Sequence, residues 1–409
     1  MAHCLDETLF VVQHGTKFWR GQSGAAVGGF AMRGRGVARW AAAAGAACVI
    51  VAGALPAQAT VGSGWRVFTT IREGSPPVVL QGTVALSASD AWAVGVVQRA
   101  GKSEPLVARW NGHSWRTVAL PKSVQRALGA AFVFQLQASS PSNVWVASPQ
   151  GWARWTGKGW QSGRLPVIKR GETSQAGTLL PFAPNDVWLI GSYFAGAKEV
   201  PFARRYDGRH WRVMPSPGIT GFQVSGSSSK AICAVNGNYG APVNAVTDLV
   251  CWNGKGWHRL HLPASLDASN ALIGSILVDS LTNIWLGGGR PDSGGIRGLA
   301  GHWDGHAWHV DTLPAVQTLG DDVLNHLTTD GHHGLWAIGD CDCGGPAWRL
   351  WHYTGGRWRG PTLPAIGGSF GLINAISAVP GTRSAWAVGL RGVGTSSEGV
   401  VLVYGKTPR

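Results

Sequence analysis

The run Asp340-Cys341-Asp342-Cys343-Gly344-Gly345 sets two thiols and two carboxylates within four residues, and Asp321, Asp322 and His326 precede it by a short stretch. Thiolate, carboxylate and imidazole together form a donor set for a divalent metal. A Cys-x-Cys pair is a weak metal signature on its own, because closed zinc sites use four ligands. Cys341 and Cys343 fit a small disulfide or two free thiols as readily, and the disulfide is favoured if the chain is exported. Asp321, Asp322, His326, Asp340 and Asp342 therefore stand as weak metal candidates, and no cofactor is assigned. Two further cysteines, Cys233 and Cys251, are 18 residues apart.

Other chemistry is thinly represented. No nucleophile elbow, phosphate-binding loop, HExxH helix or dinucleotide fingerprint occurs. Asp and Glu number only 21 of 409 residues, and no pair is assignable to acid–base work from spacing. No catalytic residue is assigned, and the enzyme question leans towards no. His302, His306 and His309 cluster at one hairpin, where exposed surface is the expected setting.

The elements that would position these groups are read from an aromatic repeat. Trp110-Asn111-Gly112-His113-Ser114-Trp115 places two large rings around an Asn-Gly turn, a strong hairpin signal. The pattern returns at Trp155…Trp160, Tyr206…Trp211, Trp252…Trp257, Trp303…Trp308 and Tyr353…Trp358. Upstream of each hairpin lie a short apolar segment, a polar turn and a strand carrying a Trp: Trp92, Trp145, Trp188, Trp285 and Trp336. Cys233 takes that place in the fourth unit, and Trp386 in an incomplete seventh. A spacing of 43 to 53 residues, with strand-rich and Gly-rich units, indicates a β-propeller. The seventh unit lacks its last strand, and Gly64-Trp65-Arg66-Val67-Phe68 supplies a matching one. The expected fold is all-β: a seven-bladed propeller of four-stranded antiparallel blades, the last closed by the N-terminal strand.

In that topology Cys233 and Cys251 lie on neighbouring antiparallel strands of the fourth blade, so a structural disulfide between them is expected. The phased Trp residues belong to the core between blades. Trp152, Trp348 and Trp351 fall out of phase, and Trp152 and Trp348 sit near connections that could face a ligand. Those connections share an end of the ring with Asp321, Asp322 and the Cys341–Cys343 loop.

The repeated Asp-x-Trp-x-x-Gly…Trp-Asn-Gly-x-x-Trp pattern resembles secreted bacterial β-propellers of the kelch and galactose-oxidase-like superfamily over 64–404. The double glycine usual after the second strand is mostly absent, Gly287-Gly288 being the exception. Galactose oxidase depends on copper held by Tyr and His, with a Tyr cross-linked to Cys. The five tyrosines here, mostly at hairpin or strand positions, form no such constellation. The resemblance implies a non-catalytic binding module outside the cell.

The N-terminal region reads separately. Arg33, Arg35 and Arg39 precede a small-apolar run from Trp40 to Leu55, which exits at Ala57-Gln58-Ala59. Basic, apolar and small-residue regions in that order describe a secretory signal peptide. The expected organisation is an extension or mis-assigned start over 1–31, a signal peptide over 32–59 and one propeller domain over 60–409. The full chain carries a net charge of +14. Without residues 1–59 it has 30 basic and 19 acidic side chains, a net of +11. The basic residues are scattered and form no run, which argues against a nucleic-acid site. The expected setting is secreted and extracellular, as a monomer with a cell-envelope glycan or protein as partner. A membrane enters only if the signal segment is retained as an anchor. The competing class is a secreted glycan hydrolase or lyase working at the channel mouth.

Overall fold

Six pairs of aromatic residues sit directly opposite one another across antiparallel strands: Trp110 and Trp115, Trp155 and Trp160, Tyr206 and Trp211, Trp252 and Trp257, Trp303 and Trp308, Tyr353 and Trp358. Each closes a hairpin. In the first, Gly112 takes φ +90°, and a Cβ there would meet Ser89 Cβ at 3.1 Å. The asparagine works through its side chain: Asn111 Oδ1 accepts hydrogen bonds from the backbone of His113 and Ser114, both at 3.0 Å. Asp207, Asn253 and Asp304 do the same in their hairpins. In these four hairpins the Asx residue supplies a local acceptor and the Gly a left-handed backbone.

The computed structural model describes residues 64–409, apart from 75–76, 132–133, 167, 169–172, 175–176, 237–247, 268–269, 293–294, 315–321, 341–348, 361–370 and 393–395. The expected extension over 1–31 and signal peptide over 32–59 lie outside the described residues. The described strands form seven antiparallel sheets. Blade 1 runs Val78–Ser87, Asp90–Arg99, Lys102–Trp110 and Trp115–Thr117, from the innermost strand outward. Blades 2 to 6 repeat this order, starting at Gln135, Thr178, Phe222, Leu272 and Val323. Blade 3 adds a short strand, Thr173–Ser174, beside its second strand. A seven-residue helix, Lys122–Leu128, links blades 1 and 2 and buries Val124 and Leu128.

Blade 7 is built from both ends of the described chain. Gly371–Ala378, Ala385–Arg391 and Glu398–Tyr404 are its first three strands, and Trp65–Ile71 is its outermost. The register places Trp65 opposite Tyr404, so this blade has the same aromatic pair as the others, cut by the termini. Contacts between neighbouring innermost strands run round the whole set and return from blade 7 to blade 1. The result is a closed, all-β, seven-bladed propeller.

The second-strand aromatics fill the wedges between blades. Trp92 of blade 1 packs on Trp155 and Trp160 of blade 2, at 5.9 and 6.0 Å between ring centroids. Trp188, Trp285 and Trp336 reach Trp252, Tyr353 and Tyr404 of the following blades. Trp386 closes the circle on Trp110 and Trp115. Each ring removes ~150–250 Å² from water, or ~4–6 kcal/mol gross at 25 cal/mol per Å², before ordering entropy. Blade 4 has Cys233 in place of the ring, and it forms a disulfide with Cys251 directly opposite. Both sulfurs sit in the core against blade 5.

The innermost strands present an edge to the channel, and polar side chains bridge that edge from one blade to the next. Gln81 accepts from the Phe134 backbone at 3.0 Å. Gln135 donates to Gly177 O at 3.0 Å and accepts from Leu179 N at 3.1 Å. Ser275 donates to Leu324 O at 2.8 Å, and Asn374 to Leu80 O at 2.7 Å. Gln81 and Asn374 stand at β-bulges, which turn a side chain out of the pleat.

Candidate functional site

The strand register lines up one row of residues across each blade. In blade 1 the row is Val84, Trp92, Arg109, Arg116, from the innermost strand to the rim. In blade 3 it is Leu180, Trp188, Arg205, Arg212, and in blade 5 Leu277, Trp285, His302, His309. In blade 6 it is Thr328, Trp336, His352, Arg359. Directly opposite residues in an antiparallel sheet share a face. Each row therefore changes from core to Arg or His towards the rim, along the face that meets the next blade.

In blades 1, 5 and 6 the inner Arg or His of the row rests on the Trp. Arg109 Cζ lies 4.8 Å from the Trp92 ring centroid and 6.0 Å from Trp155 of blade 2. His302 stacks on Trp285 at 4.0 Å and 10°, and His352 on Trp336 at 3.9 Å and 9°. An acid or amide from the turn below holds the polar edge. Arg109 Nε donates to Asp90 at 2.8 Å, and Arg205 Nε to Asp186 at 2.7 Å. His302 Nε2 meets Asn283 Oδ1 at 2.9 Å, and His352 Nε2 meets Asp330 Oδ2 at 2.9 Å. Both acceptors fix the Nε2–H tautomer. Where the turn residue is Asn, its oxygen also takes the indole N–H, as for Trp145 at 2.9 Å and Trp285 at 3.1 Å. Where it is Asp, the guanidinium takes the carboxylate, and the Trp92 and Trp188 N–H groups have no partner among the described residues.

The electrostatics differ between rows. Burial, and then the nearby His309, hold the His302 imidazole below its ordinary range. Burial works against the Asp330 carboxylate, but hydrogen bonds from His352 and from the backbone of His332 and Gly334 outweigh it and hold Asp330 below the usual range. At the rim, Arg212 pairs with Asp207 at 2.7 Å and His309 with Asp304 at 2.8 Å. Blades 1 and 6 have Asn111 and Thr354 at that hairpin position, and Arg116 and Arg359 make no ion pair among the described residues. In blade 1 an open depression of about 400 Å³ is lined by Ser89, Arg109, Asn111, Arg116, Thr117 and Val118. Two guanidiniums, a hydroxyl pair and an amide around one depression can bind an oxygen-rich or anionic group.

Trp152 and Asp322, singled out in the sequence, lie at the strand ends away from these rows. Trp152, expected near a ligand, is 9% exposed and packs on Trp145 at 4.8 Å and Tyr206 at 6.0 Å. Its ring fills the blade 2–3 wedge, because the short Ser148–Gly151 connection brings it within the sheet. Trp351 is likewise core, 3% exposed. Asp322 is 4% exposed, with Arg349 at 3.7 Å and the Trp351 indole donating at 3.4 Å. Burial pushes its carboxyl above the usual range, and Arg349 opposes that. Among the described residues no group of three His, Cys, Asp or Glu side chains could hold a metal, so Asp322 and His326 form no such group. Asp321, Cys341, Asp342, Cys343 and Trp348, with the Asp340 side chain, lie outside the described residues. Of the hairpin histidines, His306 and His309 are exposed as expected, whereas His302 is half-buried on Trp285. The cationic rows were missed because they are a cross-strand property. Their signal was present as an Arg or His after six of the seven outer aromatics, at Arg66, Arg116, Arg212, His258, His309 and Arg359, with Gln161 the exception.

The chain matches no protein-family model and no curated protein. Among solved structures it is similar to polysaccharide lyase Uly1, with 10% identity, a TM-score of 0.50 and coverage of 83% of this chain and 99% of that one. An ulvan lyase bound to -[GlcA(1-4)Rha3S]- gives 12% identity, a TM-score of 0.47 and coverage of 82% and 96%. The fucose-specific lectin from Aleuria aurantia gives 13%, 0.44, and 73% and 100%. At 10% identity the likeness to Uly1 is one of fold alone.

Proposed function

We propose that this chain is an exported, non-catalytic propeller that binds a glycan at its rim, in the manner of extracellular binding modules of the kelch and galactose-oxidase-like kind. The observation that carries the reading is the row of Trp, stacked cation and exposed cation that ends in the blade 1 depression. Guanidinium, hydroxyl and amide groups held on rigid strands around the depression suit a saturable site better than a turnover site. The carboxylates near the rows are already engaged: Asp90 by Arg109, Asp186 by Arg205, Asp330 by His352. The Cys233–Cys251 disulfide supports an oxidising compartment. Lectin and polysaccharide-lyase neighbours bear on the choice of glycan over protein only as company within the fold.

A screen of immobilised glycans with the exported chain tests the reading. Saturable retention of one glycan class is expected, and no retention, with a protein recovered instead, would replace it with a scaffold role. A glycan-cleaving enzyme is the second reading, and the buried Asp322 beside Arg349 is the arrangement among the described residues that favours it. Release of unsaturated or shortened oligosaccharides from a retained glycan would establish that alternative. Amino-terminal sequencing of the exported protein tests the leader, with Thr60 expected as the first residue.

A further inference from the structure

We infer that the blade 1 depression is a site for the carboxylate or sulfate of an acidic sugar, with Arg116 as its principal ligand and Arg109 as its aromatic-backed partner. The inference rests on the glycan-binding reading above and adds the charge of the sugar. Arg109 and Arg116 are directly opposite on neighbouring strands and line one depression. Like charges so placed are destabilising unless something compensates. Asp90 compensates Arg109 through a single Nε contact at 2.8 Å, and a guanidinium has five N–H donors. Arg116 spends its Nε on Ser114 Oγ at 3.1 Å and has no carboxylate among the described residues. The equivalent residues of blades 3 and 5, Arg212 and His309, each have an acid at hand, Asp207 at 2.7 Å and Asp304 at 2.8 Å. Blade 1 replaces that acid with Asn111, so the pair is left with one negative charge for two positive ones.

The surroundings fit a sugar acid. The depression of about 400 Å³ falls in the size range of small-ligand sites. Ser89, Asn111 and Thr117 add neutral donors and acceptors for hydroxyl groups beside the charged group. Trp92, 4.8 Å from the Arg109 guanidinium, holds that plane fixed, which lowers the ordering entropy a bound ligand must supply. The disulfide argues for an oxidising compartment, where acidic glycans rather than nucleic acids are the polyanions at hand.

The test is titration calorimetry of the full chain at low salt with trigalacturonate, a sulfated galactose trimer, neutral maltotriose and a short DNA duplex. One of the two acidic trisaccharides should bind, at least tenfold tighter than maltotriose, and weaken as salt rises. Arg116→Gln should weaken it at least tenfold and Arg116→Lys by less, with an unchanged melting temperature in both. Arg126→Gln, on the helix that links blades 1 and 2 and outside the lining of the depression, should bind within twofold of wild type. An Arg116→Gln chain that binds within twofold of wild type would overturn the site, as would equal weakening by Arg126→Gln. Equal binding of maltotriose would overturn the acidic assignment and leave glycan binding standing. Binding of the duplex without either acidic sugar would overturn it in favour of a nucleic acid. A chain that retains no glycan of any kind would remove the underlying reading as well.

Discussion

Trp65 and Tyr404 face each other across the two strands that close blade 7, with ring centroids 5.5 Å apart. Trp65 also meets Trp336 of blade 6 edge-on at 5.3 Å. One residue at the start of the described chain thus joins both its own blade and the neighbouring one. Arg66 reinforces the closure through Gly405 O and through Thr407 Oγ1 at 2.6 Å.

Trp65→Ala should therefore destabilise the whole ring rather than fray one end. The ring is 5% exposed, and a Trp-to-Ala change in such a site costs about 3–5 kcal/mol. Urea unfolding monitored by Trp fluorescence measures it. A midpoint within error of wild type would count against the latch.

Much of this architecture was legible in the sequence, because the aromatic pair, the Asx-Gly turn and the second-strand Trp recur in fixed order. Trp65 could be assigned to blade 7 because the seventh unit lacks its last strand and the segment 64–68 matches one. Trp152 could not be placed, because a connection as short as Ser148–Gly151 keeps within the sheet a residue that counting puts at a loop. The cationic rows were illegible for another reason. Arg109 and Arg116 are seven positions apart, and only the register of the hairpin sets them side by side. The channel bridges from Gln81 and Asn374 depend on bulges, which leave no pattern in a short apolar strand.

The disulfide in blade 4 stands where other blades have a Trp, and it closes an 18-residue separation. Loops of that length are worth about 3 kcal/mol on the chain-entropy model. Replacing both Cys233 and Cys251 with Ala should lower stability by about 2–4 kcal/mol, and reductant should shift the wild-type melting temperature but leave the double variant unmoved. Equal stability of wild type with and without reductant would contradict a structural role.

Two carboxylates of blade 6 should respond to pH with opposite signs. Asp330 sits below its ordinary range in the fold, so its ionised form adds stability above that range, and the contribution is lost as pH falls. Asp330→Asn should destabilise most at neutral pH, with the penalty shrinking towards acid. Asp322 sits above its ordinary range, so its contribution is present at low pH and is lost as pH rises through the folded value. Relative to wild type, Asp322→Asn should gain stability as pH rises. Urea midpoints of both variants from pH 3 to 8 read the two slopes, and slopes of the same sign would refute the pair.

Gln135 joins blades 2 and 3 through two hydrogen bonds to the buried inner edge of blade 3. Gln135→Leu leaves Leu179 N and Gly177 O without that partner and should cost about 1–3 kcal/mol. Hydrogen exchange at Leu179 should quicken in the variant. Unchanged exchange there would mean that the bridge does not hold the edge.

Ring closure is tested most directly by a cross-link between the two ends. Val67 and Leu402 are register partners on the closing strands. A Val67→Cys/Leu402→Cys chain, oxidised and peptide-mapped, should yield an intramolecular disulfide between those positions in the monomer, with a raised melting temperature. A map showing those cysteines free, or bridged only between molecules, would contradict the closed seven-bladed ring.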